Sequence, residues 1–321
     1  MEHREVGRSG IAVPRVILGA GNFGGVGSDL SVVGSGESKE DAFAVMDAAW
    51  DRGIDCFDTA SSYGGGASER FIGRWREARR PGGLVLTSKL FHPRFHGDDG
   101  GLARERVRRV VDDSLTVLGV DRVDFYLTHE PDLSTPLEET LGAFDELRAE
   151  GVIRAVGVSN VDGDYVRECL RIADERGYAR IEYVQNEYSL LARESGRDVL
   201  PLCIEHGLGF AAFSPLAGGW LTGKYSEGRP YPGGSRMTLR PGPYEQFANP
   251  EVFRAIDALG GRAGELGVSS AALAIAWVLA EPGVTAVVVG PRNPEQLDAS
   301  LSALEIELSD VERSELERLF P

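Results

Sequence analysis

A chain of 321 residues accommodates two domains of about 150 residues each, or one large α/β barrel. With 42% hydrophobic and 26% charged residues, no repeat block and no apolar run near the ~18 residues of a membrane helix, the composition fits a globular protein and excludes a membrane span. The 34 basic residues are outnumbered by 50 acidic ones, and a net charge of −16 repels phosphate backbones and anionic membranes, so no nucleic-acid partner is expected.

The opening Met1-Glu2-His3-Arg4-Glu5 lacks the basic and apolar regions of a secretory signal. Cys56, Cys169 and Cys203 are scattered and form no CxxC pair, so a reducing, cytoplasmic setting is expected. Residues 4–11 read as a small hairpin turning at Ser9-Gly10, suited to plugging the lower mouth of a barrel. From residue 15 onward, short apolar runs alternate with amphipathic stretches, which is the βα alternation of a parallel sheet. Strands are expected at 15–19, 56–59, 84–89, 124–128, 155–159, 183–186, 209–213 and 286–290. Helical periodicity follows Ser38, runs through Val107, Val110, Val111, Leu115 and Leu118, and recurs at 68–78, 137–150, 164–176, 198–206, 252–266, 271–281, 294–304 and 310–320. Eight such units predict one α/β domain over 1–321: a (β/α)8 TIM barrel with an N-terminal β-hairpin and an additional C-terminal helix. Residues 20–38 are glycine-rich, and 228–250 hold Gly and Pro without helical periodicity, so both read as long functional loops.

Gly19-Ala20-Gly21-Asn22-Phe23-Gly24 matches GxGxxG directly after a strand. A Rossmann site also needs a helix starting within the glycines, and no helical period begins here before about Ser38. The glycines instead read as a loop that lets backbone approach a ligand.

Apolar strands repeatedly end in a polar residue: Asp58, Lys89, His129, Ser159 with Asn160, Gln185 with Asn186, and Ser214. Each singly has an ordinary explanation, such as a helix cap or a satisfied backbone group. Together they fall on the C-terminal rim, where barrels place their chemistry. A lysine ending an inward strand needs a carboxylate, and Asp58 on the neighbouring strand supplies it. Tyr63, five residues after Asp58, reaches the same spot, and a nearby cation favours its anion. His129 adds a second donor, so the set suits donation of a proton to an alkoxide.

At these residues the chain resembles the aldo-keto reductase family. Asp58, Tyr63, Lys89 and His129 fall in order onto the family's catalytic tetrad. Gly157-Val158-Ser159-Asn160, Val184-Gln185-Asn186-Glu187-Tyr188, Phe213-Ser214-Pro215-Leu216-Ala217-Gly218-Gly219 and Leu221-Thr222-Gly223-Lys224-Tyr225 extend the likeness over nearly the whole chain. Residues 134–141 and 214–219 are most similar to the aflatoxin-aldehyde reductase and potassium-channel β-subunit branches. The resemblance implies hydride transfer from a nicotinamide to a small-molecule carbonyl substrate, with Tyr63 as general acid, Lys89 lowering its pKa and His129 orienting the carbonyl. It further implies that Ser159, Asn160 and Gln185 hold the carboxamide, that Phe213 faces the nicotinamide ring, and that Gly21, Asn22 and Asp58 line the cofactor. Ser214, Pro215, Leu216, Gly218, Lys224 and Arg236 would meet the pyrophosphate.

Gly290, Arg292 and Gln296 would meet the adenosine end. Arg292 is a planar cation suited to a 2′-phosphate, so NADPH is favoured and NADH is also accommodated. Ala299 and Ser300 stand where the family carries Glu and Asn against adenine. Phe23, Phe91 and Trp220 are expected to wall the substrate pocket together with Tyr63 and His129. His92 and His96 form no metal pair, since Pro93 interrupts any helix there and no third ligand is evident. The competing readings are a nicotinamide-binding redox-sensing regulatory subunit that turns over slowly, and a Schiff-base lyase using Lys89.

Overall fold

The computed structural model describes residues 1–321. A short antiparallel hairpin, β1 (His3–Glu5) and β2 (Ala12–Pro14), precedes the barrel. Eight parallel strands follow: β3 (Val16–Gly19), β4 (Cys56–Asp58), β5 (Val85–Leu90), β6 (Val123–Thr128), β7 (Ile153–Ser159), β8 (Ile181–Glu187), β9 (Gly209–Phe213) and β10 (Val284–Val289). They pair in sequence order, and β10 closes on β3 to complete the barrel.

The helices between them are α1 (Lys39–Asp51), α2 (Ala67–Arg79), α3 (Arg104–Leu118), α4 (Leu137–Ala149), α5 (Gly163–Arg176) and α6 (Glu194–His206). The one-turn α7 (Arg236–Leu239), then α8 (Pro250–Leu266) and α9 (Ser270–Leu279), separate β9 from β10; α10 (Pro294–Leu301) and α11 (Asp310–Glu317) complete the chain. Several begin where a side chain satisfies a free backbone N–H: Ser38, Asp162, Ser269 and Asn293 each accept from the residue three positions on. Ser309 and Glu312 form a reciprocal capping box on α11. No single helix is long and apolar enough to cross a membrane.

Two cores result. The larger lies between strands and helices and includes Trp75, Trp220 and Trp277, all fully buried. The smaller fills the barrel: Ile17, Cys56, Phe125, Leu127, Ala155, Tyr183, Ala211, Ala286 and Val288 pack with Val6, Ile11 and Val13 of the hairpin segment. The hairpin therefore plugs the barrel from below, and the interior is solid. Gly157 makes room in it, since a Cβ there would sit 2.7 Å from both the Leu127 side chain and the Tyr183 carbonyl.

Two expectations need adjustment. Helix α6 starts at Glu194 rather than Asp198, because the Ser195 hydroxyl bonds the Glu187 carbonyl and accepts from Asn186, which docks an extra turn on β8. The 228–250 loop contains α7 and a 3-10 stretch at Gly242–Phe247, held by the burial of Met237, Tyr244 and Phe247. The glycine-rich 20–38 loop carries only a 3-10 turn at Leu30–Val32, and the first helix begins after Ser38.

Candidate functional site

The pleat explains why polar residues gather at the top of the barrel. Side chains two apart on a strand share a face, so the residue after each interior layer points the same way. Asp58 stands two beyond Cys56, His129 two beyond Leu127, Gln185 two beyond Tyr183, and Phe213 two beyond Ala211. Lys89 follows Thr87 on β5 in the same register. The apolar plug thus ends in one layer of polar groups.

Those groups form a connected set. The Lys89 ammonium is fully buried and donates to Asp58 Oδ1 at 2.6 Å and to the Thr59 carbonyl at 2.9 Å. Its third direction is the Tyr63 hydroxyl at 3.4 Å, which lies 3.3 Å from His129 Nε2. Gln185 Nε2 donates to Asp58 Oδ2 at 2.7 Å, across the barrel from β8. Tyr63 keeps part of its surface open, whereas Asp58, Lys89 and His129 are buried. Gly21 passes against the phenol, where a Cβ would lie 3.7 Å from the ring.

The protonation states follow from burial opposed by neighbours. Burial pushes the Tyr63 phenol above its ordinary value, while Lys89 pulls the other way. Lys89 thus acts in the expected direction, but removal from water outweighs one ion-paired cation, so the phenol lies above its ordinary value. Lys89 is driven down by burial but carried above its ordinary value by Asp58, so it stays an ammonium. His129 is held well below the ordinary range, first by burial and then by Lys89, so it is neutral. Its Nδ1 is buried without a partner.

The second half of the site is strained and cationic. Asn160, Ser214 and Ala217 take positive φ of 56°, 51° and 45°, which costs non-glycine residues free energy and marks positions fixed by their surroundings. Asn160 Nδ2 donates to the His129 carbonyl at 2.8 Å and to buried Ser159 Oγ at 3.2 Å. Phe213 packs against the barrel core, and half-buried Ser214 with buried Pro215 leads into Leu216 and the Ala217–Thr222 3-10 segment. Gly218 lies under the Tyr244 ring and Gly219 under the Lys224 ammonium, both too close for a Cβ. The Lys224 ammonium is pushed below its ordinary value first by burial and then by the charges of Arg236 and Arg292. Arg236 donates to Asn22 Oδ1, and Asn22 Nδ2 donates to the Gly290 carbonyl at 3.1 Å. Arg292 takes the Gln296 side-chain oxygen on its backbone N–H at 3.0 Å and the Gly234 carbonyl on Nη1 at 2.7 Å. In a chain of net charge −16 such a gathering of cations fits a polyanionic ligand such as a dinucleotide.

Two expected pocket residues are elsewhere. Trp220 is fully buried beneath the long loop, among Tyr225, Tyr231, Phe247 and Phe253, and offers no surface to a substrate. Phe23 is likewise buried in the larger core, because the glycine-rich loop folds back through the bridge between Phe23 and Glu37. Phe91 remains at the rim, partly buried, edge-on to His92 at 5.2 Å.

Three residues escaped the sequence reading. His92, considered there only as a metal ligand, lies 4.8 Å ring to ring from His129 and pairs with Glu130 at 3.2 Å. Arg240, on the 228–250 loop, adds a smaller downward pull on His92 and His129, which burial lowers first. Glu37 is buried, accepts from Arg292 Nε at 2.5 Å and has its second oxygen unpartnered. No cluster of three or more His, Cys, Asp or Glu side chains is assembled at which a metal ion would be held.

Residues 15–320 match the model of the aldo/keto reductase family. The chain is 35% identical to an uncharacterized oxidoreductase of Bacillus subtilis, over 100% of this chain and 96% of that protein. It is 32% identical to a probable voltage-gated potassium channel β subunit of Oryza sativa, over 95% and 92% of the two chains. It is 33% identical to an NADH-specific methylglyoxal reductase of Escherichia coli, over 81% of each. With its closed parallel barrel and this likeness over nearly its full length, the chain belongs to the aldo/keto reductase family and is an NAD(P)H-dependent carbonyl reductase.

Proposed function

We propose that the protein is a single-domain, cytoplasmic reductase of aldehydes or ketones that uses NADPH, and NADH as its second cofactor, with Tyr63 as general acid. The observation that carries this reading is a fully buried lysine, ion-paired to Asp58 and aimed at the Tyr63 hydroxyl. The bound nicotinamide supplies the hydride. What the chain supplies is a proton and a place for charge to develop.

Burial holds the Tyr63 phenol above its ordinary value, so it has a proton to give. As the carbonyl oxygen gains charge, the phenol releases that proton and Lys89 stabilises the resulting phenolate. Asp58, bonded from both β5 and β8, fixes the ammonium in place. His129, neutral and 3.3 Å from the same hydroxyl, offers Nε2–H to the carbonyl oxygen. That tautomer leaves the buried, unpartnered Nδ1 as an acceptor, which is tolerated better than an orphaned N–H. Ser159, Asn160 and Gln185 hold the carboxamide, Phe213 faces the ring, and Lys224, Arg236 and Arg292 take the phosphates. Arg292 meets the 2′-phosphate, which supports NADPH; the NADH-specific name of the Escherichia coli relative supports NADH as the second cofactor.

The channel β-subunit relatives support a second reading, a nicotinamide-binding redox sensor that turns over slowly. The turnover number with a panel of carbonyls at 340 nm decides between them. A Schiff-base role for Lys89 meets an obstacle, because a nucleophilic lysine needs a depressed pKa and this one is raised by Asp58.

A further inference from the structure

We propose that Glu37 sets the discrimination between NADPH and NADH, by holding a fixed negative charge beside the cation that receives the 2′-phosphate. The inference rests on the nicotinamide reading above and goes beyond it.

Burial raises the Glu37 carboxyl above its ordinary value and the ion pair with Arg292 opposes that rise, and the group cannot withdraw. Its side chain is 4% exposed, and Oε1 accepts from Arg292 Nε at 2.5 Å while Oε2 is buried with no partner. The backbone is tied on both sides: Glu37 N–H donates to the Asn22 carbonyl at 2.8 Å, and its own carbonyl accepts from Gly24 at 2.9 Å. Gly36 lies so close to that loop that a Cβ would come within 2.2 Å of the Asn22 and Gly25 carbonyl oxygens. Glu37 is thus presented from a rigid turn to a partner 255 residues away.

Arg292 remains available. Its side chain is 45% exposed, and Nε and one Nη1 proton are committed to Glu37 and Gly234, leaving the outer edge of the guanidinium fork open. An anion arriving there meets a cation already neutralised on its inner side. A 2′-phosphate brings between one and two negative charges at neutral pH and feels that buried carboxylate directly; a 2′-hydroxyl brings none. Glu37 therefore weakens the phosphate-bearing cofactor selectively and leaves room for the other.

The test is Glu37→Gln, which keeps the shape and an acceptor for Arg292 Nε but removes the charge. Wild type and variant are titrated with NADPH, NADH and the fragment 2′,5′-ADP, read by quenching of tryptophan fluorescence. Removal of one charge near the phosphate is expected to tighten NADPH and 2′,5′-ADP by about tenfold and to move NADH by less than about twofold. Should the glutamine variant melt well below wild type, Glu37→Ala repeats the comparison with the charge likewise removed. An NADPH to NADH ratio that is unchanged, or that shifts toward NADH, overturns the role of Glu37 alone. Failure of wild type to bind either dinucleotide overturns the nicotinamide reading and this inference with it.

Discussion

Gln185 and Lys89, three strands apart around the barrel, divide the Asp58 carboxylate between them: Gln185 Nε2 donates to Oδ2 at 2.7 Å and Lys89 Nζ to Oδ1 at 2.6 Å. A buried carboxylate bonded at both oxygens is held still. That immobility lets the fully buried lysine keep its charge.

Replacing Lys89 by methionine removes one half of this arrangement. Asp58 is left buried with only Gln185, a loss of about 3 to 5 kcal/mol when one partner of a buried pair is deleted. Urea denaturation measures it, and a loss under about 1 kcal/mol contradicts the buried-pair description. The variant also loses the cation that favours the phenolate, so its turnover falls by about a hundredfold or more.

Arg292→Ala separates the adenosine end from the chemistry. The KM for NADPH rises by about tenfold or more and that for NADH changes little, with kcat for both held close to wild type. Equal increases in the two KM values remove Arg292 from the 2′-phosphate.

The strand ends were readable because an inward face repeats every second residue, so a polar residue two beyond Cys56, Leu127 or Tyr183 is at the mouth whatever the rest of the chain does. Helix starts were equally local, as at Ser38 and Asn293, where a side chain caps the backbone three residues on. Burial under loops was not. Phe23 and Trp220 look like pocket aromatics until residues 20–38 and 228–250 fold over them, which depends on contacts far along the chain. Glu37 gave no signal either, as an ordinary acid before a helix whose meaning comes from Arg292 alone. The hairpin plug was legible in outline, since its strands and turn are local, while its seat on Val6, Ile11 and Val13 came from the fold.

His129 carries a pH signature. Its folded pKa is depressed well below the ordinary 6.5, so the unfolded chain binds a proton that the folded chain refuses as pH falls below that value. Stability contributed by this group is complete above about pH 6.5 to 7 and is lost with decreasing pH, by up to about 1.4 kcal/mol per unit. His92 shifts in the same direction, so the His129→Gln variant is compared with wild type to isolate the one residue. Melting temperatures between pH 5 and 8 converge toward the variant at low pH; parallel curves contradict the assignment.

Gly157→Ala tests the interior packing. A methyl group there meets Leu127 and the Tyr183 carbonyl at 2.7 Å, so the barrel must shift beneath Ser159. A loss of about 1 to 3 kcal/mol is expected by chemical denaturation. A neutral substitution means that the layer under the site is looser than described.

On the function proposed here, Lys89 and Asp58 poise Tyr63 to give a proton to a carbonyl undergoing reduction. The most direct measurement of this is consumption of NADPH at 340 nm with a carbonyl panel, wild type against Tyr63→Phe, with cofactor binding checked by fluorescence. The phenylalanine variant is expected to bind NADPH as wild type does and to lose turnover by about a hundredfold or more. A variant that keeps wild-type turnover contradicts this role of Tyr63.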